Sequence, residues 1–207
     1  MKKGGKVNPN KAVVNFLFEV GALSKTPRSA FFFLGSGQQS VSEHLTRTAY
    51  VGYVLATLEK DVDSSKVLQM CLFHDLAEAR TSDLNYVHQK YTVSDEFAAI
   101  KELMDTLEFG GKILDVLNEY KKRKSKEAIL AKDADNIEWL LTLKEQVDIG
   151  NKRAVSWLPS AVKRLRTDVA KNLAKVILGT KSDDWWFFDK ESDWWVHRNK
   201  KMLKNRY

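Results

Sequence analysis

The segment "CLFHDLAEARTSD", residues 71–83, places charged and polar side chains within an otherwise apolar helical pattern. His74 and Asp75 are adjacent, Glu78 follows one helical turn later, and Asp83 lies just beyond. Residues three and four positions apart share one side of a helix, so Glu78 is expected on the same side as His74 and Asp75. Burying these groups unpaired would be costly. The cluster therefore predicts either pairing with cations or a bound metal ion.

Apolar residues recur at three- and four-residue intervals along most of the chain, which is typical of helices. Ser40 and Glu43 form a Ser-x-x-Glu capping box, and the helix that they start turns His44 inward. A second helix is predicted to begin at Ser64 or Ser65 and to continue to about residue 79. Further helices are predicted at about 9–22, 94–109, 111–123, 125–147 and 159–178. No sustained two-residue alternation is present, so we expect an all-α bundle of about six to eight helices.

The composition predicts one soluble domain. The 207 residues are 43% hydrophobic, enough for one core of ordinary size, and no Pro-rich or Gly-rich linker divides residues 1–207. A single cysteine, Cys71, excludes a disulfide framework. No apolar run reaches the roughly 18 to 20 residues that span a bilayer, so we expect a cytoplasmic protein with no membrane partner. The net charge of +7 is a moderate surplus that suits a phosphate-bearing substrate or plain solubility.

Two distant segments offer side chains that could join His74 and Asp75. His44 faces inward on its helix, and Asp135 lies among apolar residues in "AILAKDADNIEWLL", residues 128–141. The set of two imidazoles and two carboxylates suits Mn²⁺, Co²⁺, Fe²⁺, Ni²⁺ or Zn²⁺, and the absence of a thiolate ligand disfavours a closed structural zinc site. The pattern therefore favours a catalytic metal centre.

Three spaced motifs resemble those of a known enzyme family. They are "SVSEH" at residues 40–44, "HDLAEARTSD" at 74–83 and "KDADNIE" at 132–138. In this order they resemble the HD superfamily of metal-dependent phosphohydrolases, and more narrowly its 5′-deoxynucleotidase branch. The resemblance covers roughly residues 10–147, which are expected to form an HD-type metal-binding core. Residues 148–207 are expected to form a C-terminal helix and a Trp-rich tail outside it.

The resemblance implies a role for individual residues. One divalent ion (Mn, Co, Fe, Ni, Zn or Mg) is expected, together with a nucleotide substrate and a homodimeric assembly. Glu78 and Asp83 correspond to the family's two further acidic residues, with catalytic roles, and Arg28 of "SKTPRSAFF" corresponds to its phosphate-binding arginine. The implied metal ligands are His44, His74, Asp75 and Asp135. Asp133 also lies in the third motif, but the position of "NIE" favours Asp135.

The implied reaction is removal of the 5′-phosphate from (deoxy)ribonucleoside monophosphates by metal-activated water. Glu78 would hold or deprotonate that water or protonate the leaving oxygen, Asp83 would orient water or the sugar, and Arg28 would bind the phosphate. A second interpretation keeps the metal but changes the substrate to a triphosphate, a cyclic dinucleotide or an alarmone. A third is a non-catalytic helical module that binds nucleic acid or protein, although nucleic acid is not the expected partner.

Some positions depart from the pattern of relatives. Ser82 stands where relatives commonly have glycine, and residues 31–34, "FFFL", stand where many have a tryptophan and a second basic residue. The tail "SDDWWFFDKESDWWVH", residues 182–197, is predicted to cover an apolar face of the core. A partner or dimer surface and base stacking are its alternatives. "KKRKSK", residues 121–126, is predicted to be a solvated helix junction.

Overall fold

The computed structural model of the protein describes residues 8–187, 189, 191 and 192. Its described part is all-helical, as predicted, with a single isolated β-bridge between Pro27 and Ser40. Eight of the helices contain nine residues or more. The helices are α1 (Pro9–Ala22), α2 (Phe31–Leu34), α3 (Val41–Leu58), α4 (Ser64–Phe73), α5 (Glu78–Thr81), α6 (Tyr86–Tyr91), α7 (Glu96–Met104), α8 (Gly110–Lys122), α9 (Lys126–Asp148), α10 (Lys152–Lys163), α11 (Asp168–Gly179) and α12 (Asp184–Phe187).

The long helix α9 lies at the centre of the bundle and contacts α3, α4, α8, α10 and α11. The side chain of Ser125 caps its first turn by accepting a hydrogen bond from the amide of Ala128. Leu130, Ile137 and Leu140 are almost fully buried, and 14 of the 23 residues of α9 are buried in all, so the helix is enclosed on most sides. The polar residues that α9 does bury therefore need partners from the helices around it.

Helices α3 and α4, which contain or adjoin the predicted ligands His44 and His74, approach each other closely. The predicted capping box is present at the start of α3, where Ser40 and Glu43 bond to each other's backbone amides. Gly52 allows the close approach, because a β-carbon at this position would lie 2.6 Å from the sulfur of Cys71. Burial raises the pKa of the Cys71 thiol to about 12, so it is an unreactive core residue. The contact brings the polar residues of both helices towards α9.

The prediction that the second helix continues to about residue 79 was wrong, because the continuous helix ends before residue 74. Helix α4 ends at Phe73, His74 is its C-cap, and a short turn precedes α5 at Glu78. Leu76 and Ala77 lie in this turn. They are buried in a second apolar cluster, formed mainly with α1 and α7 and separate from the main core around α9. Burial of these two side chains fixes the turn, so the polar residues on either side of it face the interior of the site.

The prediction of one helix at 159–178 was also wrong, because this segment contains the end of one helix and most of another. Helix α10 ends at Lys163 and α11 starts at Asp168. The buried carboxylate of Asp133 accepts hydrogen bonds from the amides of Arg166 and Thr167 and from the Thr167 hydroxyl. This long-range anchor holds the chain in a turn. Helix α6 had no counterpart in the sequence prediction.

The C-terminal aromatic segment is described only in part. Trp185 is 82% exposed, so it does not cover the core as predicted. Phe188 and the second Asp-Trp-Trp copy, residues 193–195, lie outside the described residues. Residues 121–126 form the predicted junction, with Arg123 as the C-cap of α8 in the left-handed conformation. No helix in the described part of the chain combines the length and hydropathy needed to span a membrane.

Candidate metal centre

His44 lies on α3 with its imidazole fully buried. Its Nδ1 is 2.6 Å from a carboxylate oxygen of Glu138 on α9. Burial alone would raise the pKa of Glu138, but His44 and Arg47 lower it to about 2, so the group is ionised and can only accept. Nδ1 must then carry the hydrogen. In the neutral imidazole the lone pair is left on Nε2, which lies 3.3 Å from Oδ1 of Asp135 and 3.5 Å from Oδ2 of Asp75.

His74, at the end of α4, is oriented in the same way. Its Nδ1 lies 3.0 Å from the carbonyl oxygen of Cys71, which can only accept a hydrogen bond, so Nδ1 donates. Its Nε2 lies 3.4 Å from Oδ2 of Asp75 and 3.8 Å from Oδ1 of Asp135. The Nε2 atoms of His44 and His74 are both buried without a hydrogen-bond partner among the described residues. The Nε2 atoms of two imidazoles and the carboxylates of Asp75 and Asp135 therefore face one another.

This donor set fits a divalent cation. Ligand atoms of His44, His74 and Asp75 all lie within 4.8 Å of one another, and Asp135 completes the group. Burial would raise the pKa of Asp135, but Lys132 and the two histidines hold it well below its usual range. Burial likewise lowers the pKa of His44, but Asp135 and Glu138 raise it to about 9. The site thus favours positive charge, and a metal held by histidines whose other ring nitrogen is hydrogen-bonded is a common arrangement.

The structure brings the four predicted ligands together and separates Asp133 from them. Asp133 lies two residues before Asp135 on α9, so it points to another side of the helix and bonds to the loop at residues 166–167. Asp135 instead points its Oδ1 at both histidines, while its Oδ2 is 2.5 Å from the ammonium of Lys132. The preference for Asp135 over Asp133 therefore agrees with their positions.

Arg28 and Asp83 meet on one side of the ligand cluster. The loop of Arg28 is paired with the segment before α3 through the Pro27–Ser40 bridge. Asp83 accepts hydrogen bonds from the amide and hydroxyl of Ser29, at 3.0 and 3.1 Å, and lies 3.5 Å from Nη1 of Arg28. The contacts show that Asp83 holds this loop in place.

The guanidinium of Arg28 is charged and has a hydrogen-bond donor without a partner among the described residues. Its Nη1 is 3.3 Å from Oδ2 of Asp75, whereas its Nε is buried without a partner among the described residues. Burial lowers the pKa of Arg28, but Asp75 and Asp83 raise it above its ordinary value, so the charge is permanent. A phosphate oxygen could accept the hydrogen bond that Nε has available.

Glu78 begins α5 and lies beside the ligands. Burial, with the charges of Asp75 and Asp83, raises its pKa to about 9, and its Oε2 has no partner among the described residues. In the metal-free site the side chain is therefore protonated at neutral pH. A protonated carboxyl next to a phosphate site can donate its hydrogen to a leaving oxygen.

A cavity of about 230 Å³ opens beside these residues. Its wall contains mostly charged and amide side chains, and Lys132 and Arg164 add two cations from α9 and the end of α10. In the segment that lacks the relatives' second basic residue, Phe31 packs edge-on against Trp139, with ring centroids 6.4 Å apart. The cations that line this cavity besides Arg28 thus come from other helices. The lining residues include Arg28, Ser29, Asp75, Glu78, Asp83, Asn85, Gln89, Lys132, Asp135, Asn136, Trp139 and Arg164.

Glu138 is a functional residue that the sequence reasoning missed. Its fully buried carboxylate accepts hydrogen bonds from Gln39 at 2.7 Å and from Nε of Arg47 at 3.0 Å, in addition to His44. The signal was present in "KDADNIE", where an acidic residue follows Asp135 by three positions and so lies one turn along the same helix. Its contact with His44 depends on the packing of α3 against α9, which the sequence pattern does not reveal.

Comparison with known proteins agrees with this geometry. The profile of the HD domain family matches residues 20–177. The chain belongs to the HD domain family. The matched region contains Arg28 and all of the residues of the candidate centre.

Two curated relatives carry the name 5′-deoxynucleotidase HDDC2. The protein from Dictyostelium discoideum is 36% identical over 115 residues, which are 50% of this chain and 60% of that protein. The protein from Bos taurus is 27% identical over 146 residues, 68% of this chain and 70% of that protein. The chain is therefore related to 5′-deoxynucleotidases, although the match spans less than two thirds of the Dictyostelium protein.

Solved structures share the fold. A conserved hypothetical protein from Pyrococcus furiosus superposes with a TM-score of 0.68 and 28% identity, covering 79% of this chain and 96% of that one. A protein from Magnetospirillum magnetotacticum, titled a predicted metal-dependent phosphohydrolase, gives a TM-score of 0.66 at 20% identity, covering 83% and 91%. The second likeness concerns the fold alone.

We predict that Glu138→Gln weakens binding of Mn²⁺ by about 10-fold to 100-fold, because the neutral amide no longer polarises His44. Equilibrium dialysis measures the dissociation constant. Glu145→Gln is the matched control, since Glu145 also pairs with Arg47 but does not contact His44. Equal weakening in both variants would attribute the effect to Arg47 and contradict the role assigned to Glu138.

Ser82 has a strained backbone at the point where relatives commonly have glycine. Its φ of 61° and ψ of 162° lie in a region that glycine adopts readily and other residues rarely. The conformation lets the chain turn sharply from α5 into Asp83, whose carboxylate holds Ser29. A serine in this conformation thus costs stability while the chain makes the turn into Asp83.

We predict that Ser82→Gly raises the free energy of unfolding by about 1 kcal/mol, because glycine removes the strain at positive φ. Urea denaturation at one fixed metal concentration measures the change, since bound ligand itself adds stability. Ser82→Ala keeps the β-carbon and is expected to give no gain. A stability of Ser82→Gly at or below that of the parent protein would contradict the prediction.

Proposed function

We propose that the protein is a metal-dependent phosphohydrolase that removes the 5′-phosphate from (deoxy)ribonucleoside monophosphates. The observation that carries this proposal is the convergence of the two unpartnered Nε2 atoms of His44 and His74 on Asp75 and Asp135. Arg28, with an unpartnered Nε of its own, lies against the same Asp75. A cation site and an anion site in contact are what phosphoester hydrolysis requires.

The names of the relatives support the choice of substrate. The HDDC2 proteins of Dictyostelium discoideum and Bos taurus are named 5′-deoxynucleotidases, and their matches to this chain are moderate in identity. We extend that activity to this chain because the residues of each motif are present and lie together. The sequence alone had left a triphosphate, a cyclic dinucleotide or an alarmone as alternative substrates.

Each residue of the site has a defined part in the proposed reaction. A divalent ion held by His44, His74, Asp75 and Asp135 would polarise a phosphoryl oxygen and lower the pKa of water. Arg28 binds the phosphate through its guanidinium, and Asp83 positions Arg28 by holding the neighbouring Ser29. Asp83 thus acts through Arg28, which refines the catalytic role expected for it.

Glu78 is the candidate proton donor. Burial and two neighbouring carboxylates raise its pKa to about 9 in the metal-free site, and a protonated Glu78 can donate its hydrogen to the leaving 5′-oxygen. Once deprotonated, the same carboxylate can take a proton from water and so return to its starting state. The surrounding cavity is small and polar, which suits a single phosphate group more than a long phosphate chain.

A non-catalytic binding module is the remaining alternative, and the site argues against it. Such a module has no use for two buried imidazoles whose Nε2 atoms converge on two carboxylates, since burying that group of ionisable side chains is costly. Basic residues are concentrated at 2–6 and 197–206, which lie outside the described residues. Within the described part of the chain, no geometric observation supports that alternative.

We predict that the purified protein with Mn²⁺ or Co²⁺ releases phosphate from a deoxynucleoside monophosphate, and that His74→Ala or Asp75→Ala abolishes the release. Phosphate release at saturating substrate is the measurement. His88→Ala is the matched control, because His88 is exposed on α6 away from the ligands, and it should retain parental turnover. Parental turnover in His74→Ala would defeat the proposal.

We predict that Glu78→Gln lowers kcat by about 10²-fold to 10⁴-fold while the bound metal content stays at the parental level, because Glu78 moves a proton and is not a ligand. Steady-state kinetics and elemental analysis of the same sample test both parts. A loss of activity that merely follows a loss of metal would show instead that Glu78 supports the ligand cluster.

A further inference from the structure

A second cavity of about 250 Å³ reaches the same centre from the side of α7 and α8. Its wall includes His74 and Asp75. Asp75 and Lys132 line both this cavity and the one beside Arg28, so the candidate metal site lies between the two. A substrate bound at the centre can therefore extend into either cavity.

The two cavities differ in chemistry. The one beside Arg28 is lined mainly by charged and amide groups, whereas the second has an apolar floor made by Ile100, Leu114 and Leu117. Phe97 lies at its edge with 57% of its surface exposed. The second cavity also contains charged and amide side chains, but the apolar residues and the accessible ring of Phe97 offer a surface for a flat organic ligand.

Tyr120 supplies an unused polar group in this second cavity. The residue is buried, and its hydroxyl has no hydrogen-bond partner among the described residues. Its ring lies 5.3 Å from that of His74, and the guanidinium of Arg123 covers it at 3.2 Å, so the ring is held in place. A buried hydroxyl without a partner is costly unless a ligand satisfies it.

The cations near the second cavity do not make it a phosphate site. Arg123 is already engaged, because it stacks on Tyr120 and donates to the carbonyl oxygen of the same residue. Lys132 is paired with Asp135 at 2.5 Å, and the carboxyl-bearing Glu96 lines the same wall as Lys121. The buried, unpartnered Nε of Arg28 belongs to a residue that lines the first cavity and not the second.

We propose that the second cavity holds the base of the nucleotide substrate, with Phe97 against the base and the Tyr120 hydroxyl donating a hydrogen bond to it. The inference rests on the proposed function and specifies its substrate geometry. The phosphate lies on the Arg28 side, the base lies between α7 and α8, and the metal centre is between them. Discrimination between a nucleotide and a base-free sugar phosphate then comes from Phe97 and Tyr120.

Kinetics with two substrates test the inference. The ratio of KM for 2-deoxyribose 5-phosphate to KM for 2′-deoxyadenosine 5′-monophosphate measures the contribution of the base. Phe97→Ala should lower this ratio by about tenfold, since stacking on an aromatic ring is worth about 1–3 kcal/mol. Tyr120→Phe removes only the hydroxyl and should lower the ratio by about fivefold.

Control variants give the test its specificity. Phe18→Ala and Tyr50→Phe alter exposed aromatic residues of α1 and α3 outside both cavities and should leave the ratio at its parental value. An unchanged ratio in Phe97→Ala and Tyr120→Phe would overturn the inference. So would a fall in the ratio for Tyr86→Ala alone, because Tyr86 lines the cavity beside Arg28.

A binding measurement separates failure of this inference from failure of the proposed function. Saturation-transfer NMR on the metal-free protein detects 2′-deoxyadenosine, which has no phosphate to be hydrolysed. The base protons should receive saturation in the parent protein and in Phe18→Ala, and several-fold less in Phe97→Ala. Equal transfer in all three proteins would overturn the base site. If the parent hydrolyses neither phosphate ester with any metal, the proposed function is wrong, and the NMR result alone decides on the base site.

Discussion

The hydrogen bond between Nδ1 of His44 and the buried carboxylate of Glu138 is the interaction on which the centre depends. It fixes the imidazole so that Nε2 points at Asp75 and Asp135, and in the neutral ring the hydrogen stays on Nδ1. The carboxylate can remain ionised in the core because Arg47 and Gln39 also bond to it. The packing of α3 and the segment before it against α9 thus sets which ring nitrogen of His44 bonds to the carboxylate. Without that bond, the imidazole could turn or carry its hydrogen on the atom that faces the ligands.

The distribution of charge around the centre follows from this arrangement. The carboxylates of Asp75, Glu78, Asp83 and Asp135 outnumber the nearby cations, and Arg28 is shared between two of them. Glu78 responds by holding a proton, which is why its pKa is raised. The excess of negative charge favours a divalent cation between the histidines, whereas only the guanidinium of Arg28 attracts an anion. A phosphate at Arg28 would therefore depend on a cation that offsets the neighbouring carboxylates.

Local sequence signals predicted the elements that depend on local interactions. The capping box at Ser40 starts α3, Ser125 starts α9, and the predicted helix at 9–22 has the same bounds in the structure. The errors fall where a distant contact overrides helical spacing. Burial of Leu76 and Ala77 in the second cluster holds the turn before α5, and Asp133 holds the turn that separates α10 from α11. Periodicity cannot reveal either contact, because the partners are far apart in sequence.

By itself, the sequence determined the helical fold class and the chemical character of the centre, because helical periodicity and the spacing of His44, His74, Asp75 and Asp135 are encoded residue by residue. Tertiary structure alone decided which nitrogen of each histidine faces the cluster, how Asp83 holds the Arg28 loop, and that two cavities of different polarity share Asp75. The physical reason is that each of these features is a contact between helices or loops far apart in the chain. Such contacts form only once the core has packed.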